Sequence, residues 1–175
     1  MKTFIGIDPG QSGGIAIIEE SKISVFPMPI LKDGNLDTEK IIQIFIYSDS
    51  NDIHIVIENV HSIFGSSAKS NFSFGYGCGK LQGIIETLKI PYTKVDPKTW
   101  QKEMWQGVKP VLINTGKKTK SGEIKYKTDT KATSLIACKR LFPNVDLRAS
   151  DRCKKDNDGI VDSLLLALYG KRKGF

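Results

Sequence analysis

Residues 2–20, "KTFIGIDPGQSGGIAIIEE", decide the fold. Residues 2–8 predict a strand, broken by Asp8-Pro9-Gly10. After a turn at Gly13-Gly14, "GGIAIIEE" predicts its hairpin partner. Period-two alternation places Phe4, Gly6 and Asp8 on one face. A second turn at Ser21-Lys22 leads into "ISVFPMP", a third strand. Pro27 and Pro29 lack backbone donors, which sends this strand to an edge.

The rest of the chain alternates helix and strand. Ile41, Ile42, Phe45 and Ile46 form an apolar stripe, predicting a helix over 38–48. "IHIVIE" at 53–58 is a strand with His54, Val56 and Glu58 opposite its isoleucines. A helix over 67–89 has Leu81, Ile84, Ile85 and Leu88 as its core side. Gly75, Gly77, Gly79 and Gly83 fall inside it. Each Gly costs roughly 1 kcal/mol against Ala in a helix interior, so they imply a broken helix start, a backbone that something approaches closely, or a loop before a shorter helix over 80–89. "YTKV" at 92–95 is a fifth strand, and a helix begins near Pro97. "TGKKTKSGEIKYKT" reads as a hairpin turning at Ser121-Gly122. Two more helices follow, over 128–142 and about 157–170, with Asp156 helping to start the second. Three antiparallel strands followed by crossovers give an α/β protein with a mixed five-stranded sheet and helices on both faces. This is the strand order of the ribonuclease H-like fold.

With 175 residues, one domain spanning 1–175 is expected. The net charge of +7 favours a polyanionic partner. No apolar run approaches the roughly 20 residues of a membrane span, and the start lacks a secretion-signal pattern. Cys78, Cys138 and Cys153 form no C-x-x-C pair, and the histidines are only His54 and His61. A structural zinc site is discounted, and a reducing, cytoplasmic location is expected.

"DNDGIVDSLLLALYG", residues 156–170, places Asp158 and Asp162 four apart on one face of an otherwise apolar helix. An ionised carboxylate there is unfavourable without cationic compensation. Asp8 and Glu58 both end strands. If those strands are neighbours, the two carboxylates lie close together. Carboxylates from two strand ends and one helix face suit a pair of Mg²⁺ ions, which take oxygen ligands and assist displacement at phosphorus.

The motifs "GIDPGQSGGIAII", "IENVH" and "DGIVDSLLLALYG", in this order and at these separations, resemble those of the RuvC-type Holliday-junction resolvases, especially the versions carried by phages and large DNA viruses. The resemblance covers nearly the whole chain. It implies a homodimeric endonuclease, dependent on Mg²⁺ with Mn²⁺ as a substitute. Such an enzyme nicks two opposed strands of a four-way DNA junction symmetrically, with two ions per site when DNA is bound. In a phage-encoded case the location would be the bacterial host's cytoplasm. The family's catalytic, metal-holding acids fall on Asp8, Glu58, Asp158 and Asp162. Gly159 stands where cellular members often carry an acid or His, and Asp156 is the substitute for Asp158. The helix around 72–89 matches the family's dimer interface.

His61 takes the place of an aromatic near the junction centre, with Phe64 as the alternative stacker. Phe72 and Phe74 read equally as core or dimer contacts, and Trp100 and Trp105 as core or interface. Lys102 and Lys131 match phosphate-side lysines, and Lys69 joins them as a DNA contact. The segment at about 109–128 is a basic hairpin insertion, in which Lys117, Lys118 and Lys120 would grip phosphates without reading sequence. Branched DNA is the expected partner, with no membrane and no small-molecule cofactor. Two other classes compete. One is a non-catalytic branched-DNA-binding protein. The other is an actin- or sugar-kinase-like ATP-binding protein using "DPGQSGG" as a phosphate loop, for which the chain is short of a second such loop.

Overall fold

The computed structural model describes residues 2–46, 52–62 and 65–175. Strands β1 (Lys2–Asp8), β2 (Gly14–Glu19) and β3 (Lys22–Pro27) form an antiparallel meander. Helix α1 (Thr38–Ile46) leads to β4 (Asp52–Glu58), which pairs with β1 in parallel. Helix α2 (Ala68–Thr87) crosses to β5 (Tyr92–Val95), parallel to β4. The sheet order is β3-β2-β1-β4-β5, which leaves Pro27 on an edge strand as its missing donor requires. Helix α3 (Pro97–Met104) follows, then a separate two-stranded ribbon of β6 (Leu112–Lys118) and β7 (Ile124–Thr128). Helices α4 (Thr130–Leu141) and α5 (Asp158–Lys173) complete the described elements. Among the described residues no helix is long and apolar enough to cross a membrane.

Two cores flank the sheet. Ile5, Ile7, Ile15, Ile17, Ile55 and Ile57 pack with Ile41 and Phe45 of α1 and Leu81 and Ile85 of α2. The other side joins Ala16, Ile18 and Val56 to α3, α4 and α5. α5 lies at the centre of that second layer. Ile160, Leu164, Leu165, Leu166 and Ala167 are fully buried. With roughly 1.5–3 kcal/mol for each large apolar side chain buried, this helix is a principal source of cohesion.

The expected helix over 67–89 is present as α2, continuous from Ala68 and started by Ser67, whose hydroxyl accepts from the Ser70 N–H. The alternatives of a broken start or a shorter helix over 80–89 are not met, and the end details of α5 also depart from the sequence reading. A Cβ added at Gly75, Gly77, Gly79 or Gly83 would meet nothing within 4 Å. These glycines neither break the helix nor admit a close neighbour in this chain. α5 is capped by Asn157 rather than Asp156, its side chain accepting from the Ile160 N–H at 2.9 Å. It also runs on to Lys173, where Lys171, Arg172 and Lys173 oppose the helix dipole and Gly174 closes the end at φ +67°.

Candidate active site

The site forms where the ends of β1 and β4 meet the start of α5. Ile7 pairs with Ile57 across the parallel ladder, so Asp8 and Glu58 follow at the ends of adjacent strands. Both belong to the alternation that faces α5. α5 comes unusually near because the strand beneath it has no side chain at Gly6. A Cβ on Gly6 would lie 1.9 Å from the Ser163 carbonyl oxygen and 2.4 Å from the Ala167 nitrogen. Gly13 bridges Gly159, where a Cβ on Gly159 would meet the Gly13 backbone at 2.2 Å. The turn after Asp8 and the helix carrying Asp158 and Asp162 thus touch backbone to backbone.

The electrostatics follow from that crowding. Burial pushes the Asp8 carboxyl up to about 8, and Asp162, Glu58 and Asp158 add to the rise while Lys131 opposes it. Burial pushes Asp162 up to about 7 against a hydrogen bond from the Ser134 hydroxyl, with Glu58 and Asp158 raising it further. Glu58 is raised by burial too, opposed by the Trp100 indole, which donates to its Oε1 at 2.9 Å. Asp162 Oδ1 is buried with no hydrogen-bond partner among the described residues. A buried orphan oxygen next to other carboxylates is unfavourable for folding and chemically suited to a hard cation. Among the described residues, however, no three acidic, histidine or cysteine side chains converge closely enough to hold a metal ion as they stand.

Asp158 is more exposed, and Lys131 at the start of α4 donates to its Oδ2 at 2.7 Å. That hydrogen bond and the Asp158 charge hold the Lys131 ammonium above its ordinary range. Among the described residues Lys131 is the one lysine paired with any of the four acids. Asp156 lies apart from them, paired with Lys139 at 2.7 Å.

The structure thus brings Asp8, Glu58, Asp158, Asp162 and Lys131 within electrostatic reach. Lys69 lines a cleft of about 610 Å³ beside Asp8, shared with Lys80, Gln11, Phe74 and Tyr76. His61 is exposed after β4, and Phe64 lies outside the described residues. Lys102 is exposed in the last turn of α3. Lys117 and Lys118 are exposed on β6, and Lys120 is exposed in the turn that follows. Phe74 packs towards Gly10, whereas Phe72 is 77% exposed and stacks with Tyr76 at 6.5 Å between ring centroids. Trp100 is a core residue, as one sequence reading had it, but its polar edge meets Glu58. Sequence reasoning did not single out Trp100 and Ser134 as partners of the acids, or Gly6 as a packing residue. The signal for Gly6 was available in a glycine at the centre of an otherwise bulky strand.

This sheet order, with helices on both faces, is the ribonuclease H-like fold. The chain is similar to Thermus thermophilus RuvC solved in complex with a Holliday junction substrate. The identity is 12%, the match covers 99% of this chain and 97% of that one, and the TM-score is 0.54. A second Thermus thermophilus RuvC structure aligns at 13% identity over 98% and 96% of the two chains, with a TM-score of 0.49. No protein-family model matches the sequence, and no curated protein matches it.

Proposed function

We propose that this protein is a structure-selective endonuclease that resolves four-way DNA junctions by metal-dependent hydrolysis of two opposed strands. The observation that carries the reading is the gathering of Asp8, Glu58 and Asp162 from two strand ends and one helix, with a buried Asp162 oxygen left unpartnered. Carboxylates raised this far by burial and by one another mark a site built for a cationic ligand rather than for stability. The resemblance of the three sequence motifs to junction resolvases, and the likeness to a RuvC solved on a Holliday junction, support the substrate.

Asp8, Glu58, Asp158 and Asp162 would hold Mg²⁺, or Mn²⁺ in its place. The bound cations would supply Lewis-acid charge for the attacking water and the leaving 3′-oxygen. The chain's own residues do the rest. Lys131 balances the acids when no cation is bound and contacts the scissile phosphate when DNA arrives. Lys69 and Lys102 hold flanking phosphates, and His61 or Phe64 stacks on opened bases. Lys117, Lys118 and Lys120 make the β6–β7 ribbon a phosphate-gripping flap on a single nuclease domain. Two copies pair along α2, whose glycines face open space and whose Phe72 and Tyr76 are exposed. A two-fold dimer suits a junction cut on two opposed strands.

One second reading is a protein that binds branched DNA without cutting it, since among the described residues the acids do not yet converge as a ligand set. One experiment separates the two. A labelled four-way junction and a linear duplex are incubated with the protein and either Mg²⁺ or EDTA. Symmetric nicks in the junction alone, with Mg²⁺ alone, are expected. A junction that is bound but left intact in Mg²⁺ overturns the nuclease and leaves the binding protein.

A further inference from the structure

The chain has two tryptophans, and both indoles lead to the acids. Trp100, on α3, is fully buried and donates from Nε1 to Glu58 Oε1 at 2.9 Å. Trp105, capping the same helix, donates from Nε1 to the Ser134 hydroxyl at 3.2 Å. Ser134 is buried on α4, near enough to the Asp162 carboxylate to favour its charged form. An indole N–H only donates, so the Ser134 oxygen must accept from it. The single hydroxyl proton of Ser134 is then left for another acceptor, and the Asp162 carboxylate is beside it. The donor inventory fixes the first step, Trp105 to Ser134, and the neighbourhood of Asp162 supplies the second.

Packing does not require this arrangement. A buried indole needs an acceptor, but a backbone carbonyl would serve without bringing a carboxylate out of water. Here the Trp100 indole reaches a carboxylate on β4, and the Trp105 indole reaches a buried hydroxyl on α4 beside the Asp162 carboxylate of α5. Asp162 has Ser134 beside it while its Oδ1 has no hydrogen-bond partner among the described residues.

We infer that α3 is the positioning element of the site. Trp100 orients Glu58, and the Trp105–Ser134 pair orients Asp162, so that both carboxylates are set to receive a divalent cation. This rests on the nuclease reading for the identity of the ligand. All three are positioning residues, acting through the acids.

The test is Mg²⁺ binding by calorimetry, with thermal melts to check folding. Trp100→Phe, Trp105→Phe and Ser134→Ala should each weaken Mg²⁺ binding by about 10-fold, the usual effect of losing a ligand's outer partner. The double variant Trp105→Phe/Ser134→Ala should bind no more weakly than either single, because both cut one relay. Full additivity in that double, or undiminished affinity in Ser134→Ala, overturns the relay. The Trp100 arm is also read without relying on Trp100→Phe, which removes core volume. In a Trp105→Phe background Trp100 is the sole tryptophan, and Glu58→Gln should shift its emission maximum. An unmoved maximum overturns that arm. A wild-type chain that binds no Mg²⁺ overturns the metal-dependent reading and this inference together. Wild-type binding with undiminished variants overturns the positioning role alone.

Discussion

The acid cluster and the β6–β7 ribbon are built in opposite ways. The cluster lies where glycines let backbones touch, with Gly6 under Ser163 and Gly13 against Gly159. The ribbon is exposed along nearly all its length and forms its own two-stranded sheet. It is held by local bonds such as the Thr115 hydroxyl donating to the Lys125 carbonyl at 2.6 Å. One region leaves no freedom of placement, and the other leaves a great deal. Chemistry at an atom depends on position to a fraction of an ångström, whereas attraction to phosphates depends mainly on charge. The contrast fits a chain in which one part would cut and the other would hold.

Substitutions can break this contrast from either side. The largest effect is expected at Asp162→Asn. Losing several kcal/mol of transition-state stabilisation should lower junction cleavage in Mg²⁺ by at least about 1000-fold. Gel assays of rate against wild type check this, and wild-type cutting would sink the assignment. Next comes Gly6→Val, which drives a side chain into the Ser163 and Ala167 backbone and should cost about 3 kcal/mol in urea unfolding. A comparable substitution in the ribbon, Gly116→Ala, meets no neighbour within 4 Å, although its φ of +69° strains any side chain there. It should cost roughly 1 kcal/mol.

Replacing Lys117, Lys118 and Lys120 by Ala should flatten the salt dependence of junction binding by roughly 2–3 in log–log slope. Their folding stability should not change. An unaltered slope would make the ribbon a solvated loop.

The pH response belongs to the cluster. Asp8 at about 8 and Asp162 at about 7 lie well above the ordinary carboxylate range. Between roughly pH 4 and those values the folded chain holds protons that the unfolded chain has lost. Their contribution is therefore fully present below about pH 4 and fades as pH rises through 7 and 8. Metal-free protein should melt roughly 5 °C higher at pH 5 than at pH 8, and Mg²⁺ should shrink that difference. Scanning calorimetry at the two pH values decides it. The smallest effect is expected at Asp156→Asn. This breaks an exposed pair with Lys139, costs less than about 1 kcal/mol, and leaves cleavage within about twofold.

The strands were legible because turn chemistry and alternation agree along residues 2–29, and because Ile53, Ile55 and Ile57 alternate with His54, Val56 and Glu58. Once β1 and β4 are adjacent, the neighbourhood of Asp8 and Glu58 follows from register. What escaped the sequence was decided by space rather than by pattern. Local propensity cannot show that the helix glycines face open space, or that Gly6 lies beneath a helix more than 150 residues downstream. Nor can it show which acceptor a buried indole finds. Asn157 displaced Asp156 as the cap because its side chain is the one that reaches the Ile160 N–H. Asp156 instead turns to Lys139.

The place of α5 in the core has a consequence for the timing of assembly. This helix covers the sheet face carrying Ala16 and Val56 and also delivers Asp158 and Asp162. A nascent chain that has reached only β5 can pair its strands, but it has neither that second layer nor two of the four acids. The contacts that complete the hydrophobic interior also assemble the carboxylate cluster. Their sequence separation delays both until α5 has been synthesised.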